Sequence, residues 1–327
     1  MNTKTIECTP SFTLDDSILS SREPIVLRGL VKNWPLVEAA QQSDTAVSKY
    51  LTNLYNGRPL TVVRGEAENE GRVAYNDDLS KLNCASFRAS LPEALDLMLG
   101  EADRLHYIGT TATESIMPDF RQHNDVLTGP GANQYIWLGS RSCIPAHFDV
   151  PDNIACNVVG RRRFTLFPPE QLENLYVGPL DFTPAGQAIS MVDVRKPDYK
   201  RFPKYRAAEQ VAQVVVLEPG DALFLPSMWW HNVEGLDDLN VLINYWWRRS
   251  PGYMSSPADV LELALLSIRD LPAEQKMAWK NIIDYYVFND NKETFAHIPK
   301  SAQGSVGKMD DTIARKIVAK VLSRLNR

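Results

Sequence analysis

The sequence predicts a mainly β fold with flanking helices, a sandwich or barrel of short strands, on three observations. From Gln134 to Arg249 short apolar runs recur, each bounded by Gly, Pro, Asn or Asp, as strands joined by turns require. In the last 70 or so residues the apolar spacing changes to the helical period. The composition, 44% hydrophobic and 23% charged over 327 residues, is that of an ordinary globular protein with one large domain and appendages, or with two domains.

In chain order, Pro24 to Val31 is an apolar run closed by Trp34-Pro35 and reads as a buried strand, as does Pro59 to Arg64. Ser43 to Tyr55 between them has helical spacing. Ser90 to Met98 opens on a cap residue and stops before Gly100, so it reads as a helix. His106 to Gly109 is a strand leading into a polar, irregular stretch from Thr110 to Asn133. The strand series then runs through Tyr135 to Gly139, Cys143 to Asp149, Asn153 to Val159, Arg162 to Phe167, Val211 to Leu217, Ala222 to Pro226 and Val241 to Trp247. It is broken by Pro169 to Glu209, which carries Pro184, Pro197 and Pro203 with six basic residues from Arg195 to Arg206 and reads as a surface loop. Ser256-Pro257 is a helix start, and three apolar stripes follow, the last made of Ile313, Ile317, Val321 and Leu325. The expected domains are an N-terminal α+β region over 1–105, a β core over 106–250 and a helical region over 251–327.

Charge and cysteines narrow the function. A formal net charge of -5 argues against broad electrostatic binding to nucleic acid or anionic membrane. The four cysteines show no CxxC spacing, so neither a zinc ribbon nor a disulfide framework is expected. The N-terminus lacks the apolar core of a signal peptide and there is no run of about 18 apolar residues, so the expected location is cytoplasmic.

The chemistry centres on Cys143-Ile-Pro-Ala-His147-Phe-Asp149. On a strand, residues two apart leave the same face, so His147 and Asp149 point together. A second histidine, His231, follows a distant strand-like run in Trp229-Trp230-His231. Two histidines and one carboxylate on one face of a metal leave the other positions open, the arrangement typical of oxygen-activating non-haem iron(II).

At this point the residues resemble the JmjC and cupin-like (cupin 8) 2-oxoglutarate oxygenases, in particular the branch around the asparaginyl hydroxylase that restrains hypoxia-inducible factor. The resemblance runs through Pro-Ala-His147-Phe-Asp149, Gly160 to Pro169, Pro197 to Pro203, Pro219-Gly220-Asp221, Trp229-Trp230-His231 and Asn244-Tyr-Trp246, in order. It implies a double-stranded β-helix with the metal motifs at the wide mouth of the barrel. It also implies His147, Asp149 and His231 as iron(II) ligands, with Tyr107, Asn153 and Asn244 around a 2-oxoglutarate site. Arg162 stands where that hydroxylase has a lysine for the distal carboxylate, a replacement that keeps charge and adds bidentate geometry. Ile144 stands where it has a threonine, which removes a hydrogen bond. The implied reaction takes 2-oxoglutarate and O2 to succinate and carbon dioxide while hydroxylating a C–H bond.

Strand period selects Arg162 among Arg161, Arg162 and Arg163. Residues 162, 164 and 166 share a face that carries Phe164 and Leu166, so Arg162 points inward with them. The leading expectation is a hydroxylase of a protein or peptide side chain or of a small molecule. It is weighed against a metal-binding cupin without 2-oxoglutarate and against a binding protein that keeps only the fold. The C-terminal stripe, together with the resemblance, leads to an expected homodimer.

Overall fold

The computed structural model describes residues 3–9, 11–101, 103–127, 131–184, 186–289, 291 and 293–326. Residues 128–130 of the 110–133 stretch and residue 185 of the 169–209 insertion lie outside the described residues. The chain forms two compact units, Met1–Arg249 and Ser250–Arg327.

The first unit holds thirteen strands among the described residues. They are β1 (Lys4–Glu7), β2 (Ile25–Arg28), β3 (Leu60–Gly65), β4 (Cys84–Ala89), β5 (Leu105–Ala112), β6 (Asn133–Gly139), β7 (Ser142–His147), β8 (Asp152–Val159), β9 (Arg162–Phe167), β10 (Gln213–Leu217), β11 (Ala222–Leu225), β12 (Trp230–Gly235) and β13 (Asn240–Trp247). Nine form one sheet in the order β1-β2-β11-β8-β13-β6-β5-β3-β4, and four form a second in the order β10-β9-β12-β7. From β6 to β13 successive strands alternate between the sheets, except that β9 and β10 are neighbours in the smaller one, as in a double-stranded β-helix.

Period-two alternation sorts the side chains into three apolar layers. On β11, Ala222 and Phe224 join the cluster beneath the N-terminal helices, while Leu223 and Leu225 face the barrel interior with Phe164, Leu166 and Val233. On β13, Val241, Ile243 and Tyr245 go to the helical side, leaving Leu242, Asn244 and Trp246 on the inner face. Helices Pro35–Gln42, Asp44–Leu54 and Leu91–Gly100 cover the large sheet through Leu36, Val37, Val47, Leu51, Leu91 and Leu95. The Leu91–Gly100 helix starts on a capping box between Ser90 and Glu93, as its sequence expects.

Several expectations need correction. The insertion from Pro169 to Glu209 is not merely a surface loop. Leu175, Val192, Tyr205 and Ala208 pack with Phe167 and Trp230 on the outer face of the small sheet, and a helix runs over Tyr205–Val211. The alternating polar residues Arg163 and Thr165 on β9 disguise that second covered face. Three strands, β1, β4 and β12, give no strand signal in the sequence, because Lys4–Glu7, Cys84–Ala89 and Trp230–Gly235 carry too many polar or small residues to show an apolar run. The Thr110 to Asn133 stretch is also less irregular than expected, since β5 extends to Ala112 and a short helix follows over Thr113–Ile116. Residues 1–105 contribute β1 to β4 to the large sheet.

The second unit contains helices Pro257–Ser267, Ala273–Tyr286 and Asp311–Leu325, with Tyr285, Tyr286 and Phe295 clustered at ring separations of 5.0 to 5.7 Å. None of its described residues is buried.

Gly160 turns the chain from β8 to β9 at φ +67, and a Cβ there would lie 2.5 Å from the Leu239 carbonyl oxygen and 2.6 Å from Asn240 Oδ1. Gly160→Ala is therefore expected to lower unfolding free energy by about 2 kcal/mol or more, seen as a lower urea midpoint with unchanged slope. A midpoint equal to wild type would show that the turn is not constrained in this way.

Candidate metal centre

His147, the last residue of β7, and His231, the second of β12, are register partners in the antiparallel pair, with ring centroids 4.3 Å apart. Each ring is oriented by its own strand. His147 Nδ1 lies 2.8 Å from the Pro145 carbonyl oxygen, and His231 Nδ1 lies 3.0 Å from that of Trp229. A carbonyl only accepts, so both Nδ1 atoms carry the proton and both Nε2 lone pairs are free for a metal.

The carboxylate arrives differently from the sequence expectation. β7 ends at His147, so Asp149 shares no strand face with it and is delivered by the turn that follows. Asp149 Oδ2 lies 3.6 Å from His231 Nε2, and the ligand atoms of His147, Asp149 and His231 all fall within 4.8 Å of one another. That turn is fastened to the segment before β12. Met228 N–H donates to the Asp149 carbonyl at 2.9 Å, Ser227 Oγ to that of Val150 at 2.6 Å, and Ser227 N–H to Asp152 Oδ1 at 3.0 Å. Arg249 then holds the buried Asp152 carboxylate with two hydrogen bonds of 2.6 and 2.9 Å. Met228 adopts a left-handed φ of +70 to complete the link.

Burial, reinforced by the neighbouring His147, pushes the His231 pKa down to about 4 despite the opposing Asp149 carboxylate. The ring is thus neutral at neutral pH, which is the form that ligates. Two imidazole nitrogens and one carboxylate oxygen, with His231 and Asp149 buried and His147 half-buried at a cleft, fit a divalent first-row metal with free coordination positions.

An inner pocket is bordered by the triad, Tyr107, Asn153, Arg162 and Asn244, with apolar walls from Ile144, Trp137 and Phe164. Arg162 is 4% exposed, and its Nε donates to Asn157 Oδ1 at 3.3 Å. It has no carboxylate partner among the described residues, whereas Arg161 pairs with Asp237 and Arg163 with Glu234. Burial lowers the Arg162 pKa to about 10, which leaves it charged at neutral pH, and burial raises that of Tyr107. Asn153 and Asn244 bond each other at 3.3 Å, and Trp137 Nε1 donates to Asn244 Oδ1 at 2.8 Å.

A larger outer cleft of about 710 Å³ shares His147, Asp149, Tyr107 and Trp246 with the inner pocket, so two of the three ligands lie where the two spaces meet, with His231 on the inner side. Sequence reasoning misses several residues of this region: Trp137, Trp246, Gln187 with Nε2 3.3 Å from Asp149 Oδ1, and the Asp152–Ser227–Arg249 link. The only signal for the link is the second aspartate in His-Phe-Asp-Val-Pro-Asp, because nothing in the sequence pairs Asp152 with Arg249. For Trp246 strand period would suffice, because it shares the inner face of β13 with Asn244, and the same period places Trp137 on the inner face of β6.

A double-stranded β-helix with two histidines and a carboxylate at its mouth defines a cupin-type metal-site protein. The Cupin-like domain pattern matches residues 11–253, and the chain belongs to that family. HSPB1-associated protein 1 of Homo sapiens is 40% identical over 255 residues, 70% of this chain and 48% of its own length. The tRNA wybutosine-synthesizing protein 5 of Gallus gallus is 30% identical over 145 residues, 40% of this chain and 42% of its own. Lysine-specific demethylase 8 of Xenopus tropicalis is 25% identical over 238 residues, covering 71% and 49%. The chain spans about half the length of the curated relatives it matches. No helix among the described residues is long and apolar enough to cross a membrane.

Removing any one ligand should abolish tight metal binding, because two remaining donors do not hold a divalent ion against water. Asp149→Ala titrated with manganese(II) is expected to show no binding at micromolar metal. Wild-type affinity in that variant would remove Asp149 from the site.

Proposed function

We propose that the chain is an iron(II)- and 2-oxoglutarate-dependent oxygenase that hydroxylates a side chain of a protein or peptide, or a small molecule. The observation that carries this reading is Arg162: a buried guanidinium without a carboxylate partner among the described residues, in a pocket bordered by a two-histidine, one-carboxylate triad. An uncompensated buried charge is destabilising by several kcal/mol, and a bound dicarboxylate relieves it with two parallel hydrogen bonds. The JmjC domain-containing protein of Dictyostelium discoideum, 26% identical over 238 residues, adds support from similarity.

When bound, iron(II) with 2-oxoglutarate and oxygen supplies oxidative decarboxylation to succinate and carbon dioxide together with C–H hydroxylation. The chain's own residues bind and orient. His147, Asp149 and His231 hold the metal; Arg162 takes the distal carboxylate; the Tyr107 hydroxyl, which has no protein hydrogen bond among the described residues, lies in the same pocket. Trp137 fixes the Asn244 amide, which in turn fixes Asn153, so both amides are oriented before any ligand arrives. Apolar walls at Ile144, Phe164 and Leu242 exclude water from the inner end.

Succinate release from 2-oxoglutarate by protein loaded with iron(II) and ascorbate tests the reading. Arg162→Ala should keep metal binding and raise the 2-oxoglutarate KM at least about tenfold, the loss of one charged hydrogen-bonded contact. Arg161→Ala and Arg163→Ala should stay near wild type, since both arginines pair with carboxylates away from the pocket. No succinate release by any form would sink the oxygenase reading.

We also propose that the second unit mediates a homodimer. On helix Asp311–Leu325 the side chains of Ile313, Ile317 and Val321 are only half-buried, and Val318, Leu322 and Leu325 are 49%, 54% and 54% exposed. Sedimentation at tens of micromolar should give a dimer that Ile317→Glu with Val321→Glu dissociates. A monomeric wild type refutes it.

A further inference from the structure

Resting on the oxygenase reading, we propose that the outer cleft takes an acidic segment of polypeptide, with Arg58 and Arg88 binding carboxylate or phosphate side chains near the residue presented to the metal. Among the described residues, the charged or metal-ligating side chains that line the cleft are His147, Asp149 and the two arginines. Two arginines face one aspartate, which a metal bound at the triad would offset, so the cleft carries an excess of positive charge inside a protein of formal net charge -5.

Neither arginine has a carboxylate partner among the described residues, although eleven other arginines of the chain do. Arg88 is also not a freely moving surface side chain. Its Nη1 donates to Thr61 Oγ1 at 2.8 Å and its Nη2 to the Pro59 carbonyl, and both acceptor residues line the cleft. These neutral acceptors orient the guanidinium without consuming its charge. Arg58 lines the same cleft, beside Pro59. The Thr110 hydroxyl adds a donor for an anionic group, whereas those of Thr111 and Ser115 already donate to the Gly109 and Ala112 carbonyls.

Size and charge select the occupant. About 710 Å³ falls in the range of built ligand clefts, and the walls at Leu60, Val63, Ile116 and Trp137 suit the apolar parts of a chain. Nucleic acid is the less suited partner, since its binding draws on an extended basic surface and the protein is acidic overall. Arg88 lies on β4, which is an edge strand, so an extended segment beside it competes with no neighbouring strand of the sheet.

The test uses the full chain loaded with manganese(II) and fluorescein-labelled short peptides of one apolar frame carrying Glu, phosphoserine, Gln or Lys at the same two positions. Anisotropy at about 50 mM salt is expected to show the Glu and phosphoserine peptides binding at least about tenfold tighter than the Gln peptide, the gap closing at about 0.5 M salt. Whichever anionic peptide binds tighter identifies the source of the anion. The double variant Arg58→Gln with Arg88→Gln should lose the preference while keeping the wild-type melting temperature. Arg58→Glu with Arg88→Glu should turn the preference to the Lys peptide. Equal binding of all four peptides by wild type, survival of the preference in the Gln double variant, or stronger competition by a single-stranded oligonucleotide than by the Glu peptide would each overturn the proposal. Succinate release by wild type without peptide is measured separately, so failure here is distinct from failure of the oxygenase reading.

Discussion

The antiparallel register that sets His147 opposite His231 is the constraint on which the site depends. Cross-strand neighbours are held at a fixed short spacing by backbone hydrogen bonds, so the two imidazoles meet without any contribution from side-chain packing. A slip of one residue would turn one ring out of the barrel and into the apolar layer that holds Ala146 and Trp230. The irregularity between His231 and Val233 lies immediately after the pair, where it changes the pairing without disturbing the histidines themselves. Asp149 has no such ladder. It relies on the bonds from Met228 and Ser227, and on Asp152 held by Arg249, the last residue of the first unit.

Placing polar groups inside a barrel is tolerable only because the rest of each strand is committed to apolar layers on both sides. β8 alternates Ile154, Cys156 and Val158 toward the helices with Asn153, Ala155 and Asn157 toward the interior. Asn157 donates to the carbonyls of Gly160 and Leu217 and accepts from Arg162, so it ties the β8–β9 turn to the arginine's position. The insertion completes the arrangement by covering the outer face of the small sheet, which leaves the β7 and β12 histidines on a strand pair buried on both faces.

Much of this is legible in the sequence because period two is a local property. Phe164 and Leu166 identify the inner face of β9, and with it Arg162, from their spacing alone; the alternation on β13 likewise carries Asn244 inward. What stays hidden is non-local. The Asp149 turn, the Arg249–Asp152 pair and the packing of the insertion through Leu175 and Tyr205 join residues far apart in the chain, and no spacing rule connects them. Strand β12 is masked for a related reason: its His231, Asn232 and Glu234 interrupt the apolar run, and His231 is the position where the fold gives up hydrophobicity for the site.

The differences from the resembling hydroxylase combine into one electrostatic design. Ile144 presents no hydroxyl to the inner pocket, and Phe164, Val233 and Leu242 are apolar as well, so the proposed recognition of an anion there would rest on Arg162 with Tyr107 beside it. A lysine in so apolar a pocket would shed its proton more readily, because its pKa starts lower and falls with burial. Arginine starts high enough that burial brings it only to about 10, and the charge persists through the physiological range. Its planar head also binds a carboxylate through two bonds where an ammonium provides a point charge. The guanidinium therefore supplies from a single side chain both the charge and the directionality that the apolar wall at Ile144 does not provide.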